Sequence, residues 1–79
     1  MEDFKGKSIV VTGAGGFIGS AIVRRLVVLG AVVHAVIRRG GGRVRLTEVV
    51  NDITLHEADI TDQSAMEDIF SKSAPDGVF

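Results

Sequence analysis

The sequence predicts an α/β fold, a parallel sheet flanked by helices, and three observations carry that expectation. Two β-branched apolar runs, residues 8–12 and 31–37, do not alternate with polar residues and so read as strands buried on both faces. Between them lie a glycine turn and a stretch of helical spacing, an interval of the right length for one crossover helix joining parallel strands. Downstream, a third strand, a second helix and the opening of a fourth strand continue the alternation. With 79 residues, 46% hydrophobic and 24% charged, the chain holds one small domain or part of one. Nothing in its composition resembles a disordered or collagen-like chain.

The first strand, residues 8–12, ends at Gly13. From Gly16 onward Phe17, Ile18, Ala21, Ile22, Leu26 and Leu29 fall on one helix face, Arg24 and Arg25 lie off it, and Gly30 supplies the stop. The second strand is residues 31–37. A basic glycine loop, residues 38–43, leads to a weakly helical stretch over residues 46–50. Residues 53–58 alternate apolar and polar and predict a third, less buried strand, with Asp59 and Ile60 at its carboxyl end. Thr61 or Asp62 caps a helix through Ala65, Met66, Ile69 and Phe70 that ends near Ser73, because Pro75 disfavours helical geometry in its predecessor. Gly77-Val78-Phe79 opens a fourth strand. The strand order expected for this single unit, residues 1–79, is 3-2-1 with a stub of strand 4 beside strand 1. A unit stopping there is expected to leave the strand 1 backbone unpaired along residues 9–12, an edge that invites self-association.

Cysteine is absent, which excludes a disulfide framework and a thiolate metal site. The charged start Met1-Glu2-Asp3-Phe4-Lys5 lacks the apolar run of a signal peptide, and the uncharged runs are broken by glycine, so the expectation is a cytoplasmic protein without a membrane segment. Residues 1–47 carry eight basic and two acidic groups, and residues 48–79 one basic and eight acidic groups. The basic half has few charges and no aromatic ladder, which favours a phosphorylated small molecule over nucleic acid as partner. His34 and His56 lie on strands without partners at metal spacing and read as sheet-surface residues; Asp62, Glu67 and Asp68 suit capping and a solvated helix face. No metal ligand or catalytic residue is assigned. Arg43 and Arg45 read as plain surface charges.

The chemistry is carried by Thr12-Gly13-Ala14-Gly15-Gly16-Phe17-Ile18-Gly19, in which glycines 13, 16 and 19 stand between a strand and a helix. The first lets the chain turn off the strand, the second lets the backbone approach a pyrophosphate, and the third lets the helix pack on the sheet. Free amides at the helix start, aided by the helix dipole, bind an anion without a lysine. Ser20 follows Gly19 directly, which departs from the Gly-Lys-Ser/Thr ending of the nucleotide triphosphatase loop.

The segment Val11-Thr12-Gly13-Ala14-Gly15-Gly16-Phe17-Ile18-Gly19-Ser20 closely resembles the start of extended short-chain dehydrogenase/reductases of the NAD-dependent epimerase/dehydratase family. Ala58-Asp59-Ile60-Thr61-Asp62 looks like that family's adenine-contacting turn, and Pro75-Asp76-Gly77-Val78-Phe79 like the approach to its fourth strand. The resemblance implies the amino-terminal part of a Rossmann domain, a partial fold truncated at strand 4. It also implies cofactor binding by Gly13, Gly16, Phe17, Ile18 and Gly19, with Asp59 on the adenine amino group and the Ile60 backbone on the ring.

Two departures shape the functional expectation. NAD-preferring members place an acid at the end of the second strand, where this chain has Ile37 followed by Arg38 and Arg39. A carboxylate would repel a 2′-phosphate, whereas a guanidinium pairs with it, so NADP is expected in preference to NAD. The family transfers hydride with a tyrosine and a lysine four residues later, and this chain has no tyrosine. The expectation is therefore the NAD(P)-binding segment of an NADP-preferring reductase, epimerase or dehydratase acting on a nucleotide sugar or related carbonyl compound, catalytically incomplete alone. The alternative is a non-catalytic dinucleotide-binding or protein-interaction module.

Overall fold

The computed structural model describes residues 4–41 and 43–79; Met1–Asp3 of the charged start and Gly42 of the basic loop lie outside the described residues. Strands β1 (Ser8–Val11), β2 (Val32–Ile37), β3 (Ile53–Glu57) and β4 (Gly77–Val78) form one parallel sheet in the order β3-β2-β1-β4. Helix α1 (Phe17–Val28) crosses from β1 to β2, a 3₁₀ segment (Val44–Asp52) leads into β3, and α2 (Gln63–Ser73) crosses from β3 to β4. This is the helix-flanked parallel sheet, in the order 3-2-1-4, that the sequence predicts.

Side chains on a strand alternate between faces, so the sheet divides its own apolar residues between two layers. Ile9, Val11, Val33, Ala35 and Ile37 turn to one face, where Val23 and Leu26 of α1 and Leu46 of the 3₁₀ segment close a core. Val10 and Val36 turn to the other and meet Ala58 with Met66 and Ile69 of α2. Burying a valine, leucine or isoleucine contributes about 1.5–3 kcal/mol, which is why β1, with Ile9, Val10 and Val11 all buried, is the centre of the fold. β3 is less buried than β1 and β2, in line with its alternating sequence. Asp62 caps α2 by accepting the Ala65 N–H at 3.1 Å through Oδ1.

The predicted face of α1 needs correction. Its buried row is Ser20, Val23 and Leu26, with Ile22 and Val27 partly buried, while Phe17 and Ile18 are 79% and 78% exposed and Ala21 is also exposed. The first turn of α1 packs against the glycine turn, not against apolar strand residues, and there only small groups fit. Ser20 is buried in that place, and its hydroxyl is satisfied by the Phe17 carbonyl at 3.2 Å.

The expectation of an unpaired strand 1 edge is also corrected. The Phe79 N–H donates to the Val10 carbonyl at 2.9 Å, and the Phe79 carbonyl accepts from the Thr12 N–H at 3.0 Å and the Thr12 hydroxyl at 2.8 Å. Asp76 completes the edge: its Oδ2 accepts the Ser8 N–H at 2.9 Å and its own N–H donates to the Ser8 carbonyl at 2.7 Å. A parallel neighbour takes the groups of alternate residues only, so a short stub suffices to pair so short a strand.

The two histidines are not independent surface residues. His34 Nδ1 and His56 Nε2 lie 3.1 Å apart across β2 and β3, with ring centroids 5.3 Å apart. That centroid separation is close to the N···N distance plus two ring radii, so both nitrogens sit on the line between the ring centres. This is an N–H···N hydrogen bond, which needs one donor and one acceptor and fails when both rings are cationic. Burial lowers the pKa of His34; burial, then the charges of His34 and Lys72, lower that of His56 against an opposing effect of Asp68. Lys72 and Asp68 of α2 are themselves ion-paired at 3.0 Å.

Acidification therefore protonates the histidines of the unfolded chain first. The stability contributed by the histidine pair is fully present above about pH 6.5 and declines as pH falls below it, until the folded rings also titrate. Thermal melts between pH 8 and pH 5 check this, and His56→Gln flattens the profile; an unchanged slope in that variant contradicts the coupling. Leu46→Ala is expected to cost about 2–5 kcal/mol in urea denaturation, because Leu46 is the fully buried residue that seats the 3₁₀ segment on the core.

Candidate functional site

The site begins where β1 hands over to α1. Gly13 has φ +61°, the left-handed region that side chains disfavour, and so turns the chain sharply off the strand. The next residue, Ala14, is buried, and its N–H donates to the Val36 carbonyl at 3.1 Å, tying the turn to β2. Gly19 is required for contact: a Cβ there would collide with the Gly13 carbonyl oxygen and lie within 2.8 Å of its carbon and 2.9 Å of the Ala14 Cα. The α1 start is thereby pressed onto the turn.

Gly16 differs from both. Its backbone (φ −80°, ψ 177°) suits any residue, and a Cβ there would meet nothing nearer than the Gly13 carbonyl oxygen at 3.5 Å. The fold alone does not demand a glycine at this position. A Cβ on Gly13 would likewise meet open space. Gly16 caps α1 without a side chain, and the first turn holds no acid. The first amides of any helix lack intrahelical acceptors, and here they coincide with the positive end of the dipole. Such a geometry can accept an anion through backbone alone.

Two clefts open at the carboxyl ends of the strands. One, of about 400 Å³, is lined by Gly13, Gly15, Gly16, Ile37, Arg38, Gly41 and Arg45; no carboxylate among the described residues lines it. The other, of about 460 Å³, is lined by Arg38, Arg39, Glu57, Ala58, Asp59, Asp62 and Ala65. Arg38 borders both clefts and Arg39 only the second. Glu57 is taken by Arg43 in an ion pair of 3.0 Å, whose hydrogen bond and charge hold its carboxyl below the usual range. Asp59 Oδ1 accepts both the Thr61 N–H at 2.9 Å and the Thr61 hydroxyl at 2.7 Å. Those bonds, hydroxyl first, lower the Asp59 pKa and keep the carboxylate ionised. Ile60, beside it in the same turn, is 63% exposed.

The structure thus brings Gly13, Gly16 and Arg38 into one cleft and Arg38, Arg39 and Asp59 into the next. Gly19 lies under the turn as a packing residue, and Phe17 and Ile18 stand exposed at the helix start.

Arg43 and Arg45 are not plain surface charges: Arg43 holds Glu57, and Arg45 is a residue of the first cleft. The Arg45 guanidinium lies over the Phe17 ring, 4.1 Å from its centroid, and Arg24 Nη1 donates to the Arg45 carbonyl at 2.9 Å. The one sequence signal for this arrangement was Leu46, an apolar residue in a polar stretch that has to find the core and brings its neighbour with it. Among the described residues no helix is long and apolar enough to cross a membrane, and no cluster of three or more His, Asp or Glu side chains could hold a metal.

Comparison with known proteins agrees with this geometry. The profile of the NAD dependent epimerase/dehydratase family matches residues 9–79. Dihydroflavonol 4-reductase of Gerbera hybrida is 35% identical over 74 residues, covering 86% of this chain and 20% of that protein. UDP-glucose 4-epimerase of Thermotoga maritima, solved with UDP-glucose, aligns at 38% identity and a TM-score of 0.78, over 90% of this chain and 22% of its own. The Bordetella bronchiseptica enzyme WbmH, solved in complex with NAD+, aligns at 28% identity and a TM-score of 0.79, over 91% and 24%. The chain spans about a fifth of the length of the curated relative and of the epimerase.

The different demands on the two glycines give a direct test. Gly19→Ala is expected to cost about 3 kcal/mol or more in urea denaturation, since the collision is with backbone. Gly16→Ala should stay within about 1 kcal/mol of the parent, and equal losses at both positions would contradict the assignment.

Proposed function

The chain belongs to the NAD dependent epimerase/dehydratase family, and on that premise we propose that it is the dinucleotide-binding segment of an NADP-preferring reductase, epimerase or dehydratase acting on a nucleotide sugar or related carbonyl compound. The observation that carries the reading is the cleft in which a glycine turn the fold does not itself require at Gly16 faces Arg38 and Arg45 with no carboxylate among the described lining residues. The chain's own groups fit such a cofactor. Amides at the start of α1, beside the Cβ-free surface of Gly13 and Gly16, would hold the diphosphate. Ile37 leaves the ribose side without an acid, and Arg38 and Arg45 would take a 2′-phosphate through charge-assisted hydrogen bonds, with Arg39 alongside.

In the second cleft Asp59 would receive the adenine amino group. Thr61 occupies Oδ1, so Oδ2 is the acceptor left for it, and the Ile60 backbone would lie along the ring. The cofactor, when bound, supplies hydride chemistry at its nicotinamide. The residues of this chain contribute orientation and charge: they fix the diphosphate, select the ribose substituent and seat the adenine. The sugar substrate is supported by the solved epimerase, which carries UDP-glucose, and the broader carbonyl class by the reductase relative. The convergence of Arg38 and Arg45 on one cleft favours a small phosphorylated ligand over a nucleic acid or a membrane surface.

Calorimetric titration checks the reading. NADP is expected to bind at least about tenfold more tightly than NAD, and Arg38→Ala to remove most of that difference. Gly16→Ala should weaken ADP and both dinucleotides alike, since it touches the shared diphosphate. Equal affinity for NAD and NADP in the parent protein would overturn the NADP preference, and no binding of ADP would overturn the site.

A further inference from the structure

We propose that Arg24 is a positioning residue for cofactor selection: it holds the backbone of Arg45, and so fixes the Arg45 guanidinium at the phosphate cleft. The inference rests on the function proposed above and adds to it a residue that lines neither cleft.

Arg45 belongs to the 3₁₀ segment and follows a loop that contains Gly40 (φ +78°) and Gly41. An arginine after such a loop has many conformers to lose when it closes on a ligand. Here α1 restrains it at both ends. Arg24 donates to the Arg45 carbonyl at 2.9 Å, and the Phe17 ring underlies the Arg45 guanidinium at 4.1 Å. Phe17 and Arg24 are seven residues apart, two helical turns, and so lie on the same face of α1. One rigid helix grips the main chain and the side-chain tip of the same residue, while Leu46 anchors the segment in the core next door.

The grip leaves the ligand-binding capacity of Arg45 intact. A guanidinium lying over an aromatic face keeps its N–H groups at its edge, free to pair with a phosphate. Arg45 is thus presented with part of its ordering already done, which raises affinity for whatever it touches and for nothing else. A substitution at Arg24 should therefore weaken recognition of the 2′-phosphate and spare the rest of the nucleotide.

The test is a double-mutant cycle on the full 79-residue chain, read by calorimetry with 2′,5′-ADP and with 5′-ADP. Arg24→Met is expected to weaken 2′,5′-ADP about three- to tenfold, the size of one modest hydrogen-bond contribution, and to leave 5′-ADP within about twofold. Arg24→Lys, which keeps a donor, should recover much of the loss. Combined with Arg45→Met, the Arg24→Met change should add nothing further. Losses that multiply in the double variant, or an equal loss for both ligands from Arg24→Met, would overturn the positioning role while leaving the NADP reading in place. Failure of the unaltered protein to prefer 2′,5′-ADP over 5′-ADP would overturn that reading itself, and the Arg24 role with it.

Discussion

The close approach of Gly19 to the Gly13 carbonyl is the constraint on which the rest of this molecule depends. It lets α1 begin directly against the turn that leaves β1, closer than any side chain would permit. Because the helix starts there, its first amides stand over the carboxyl end of the central strand, and the apolar row Val23 and Leu26 meets the sheet. The parallel pairing of β1 with β2 follows from the same crossover, and with it the placement of Ile37 and Arg38 beside the glycine turn. One missing methyl group thus sets packing and ligand access together.

Charge is distributed along the chain in a way that the folded shape puts to use. Arg38 and Arg45, from the basic half, meet at the cleft beside Gly13 and Gly16, whereas Asp59 and Asp62, from the acidic half, sit at the β3–α2 junction. Anionic groups suit the first environment and hydrogen-bond donors the second. Arg38 stands between the two and borders both. The separation arises because α1 and the 3₁₀ segment cover one face of the sheet and α2 the other, so residues after β2 and after β3 reach neighbouring places at the strand ends from opposite layers.

The β-branched runs made β1 and β2 readable because both are buried on two faces, and the Asp62 cap followed from local hydrogen-bonding chemistry. The glycine turn was readable because each glycine answers a local steric demand or, at residue 16, the absence of one. Other features depend on contacts distant in sequence. The apolar spacing of α1 points to the wrong face because apolar content does not by itself mark burial: the buried position at the turn is Ser20, chosen for size. The His34–His56 bond depends on the register of β2 against β3, and the pairing of the β1 edge on how far three residues reach. Arg45 became a cleft residue through the path of a loop, which no local pattern records.

Unlike the four strands, the 3₁₀ segment joins the rest of the structure without a strand ladder, through the buried Leu46, the partly buried Val49 and side-chain contacts from α1. Such an attachment makes the lining of the cleft an exchangeable part. Sequence drift at the exposed positions of residues 43–52, with Leu46 kept, can alter the lining of the cleft while the sheet and the glycine turn stay as they are, so ligand preference and foldability in this chain are free to evolve on separate schedules.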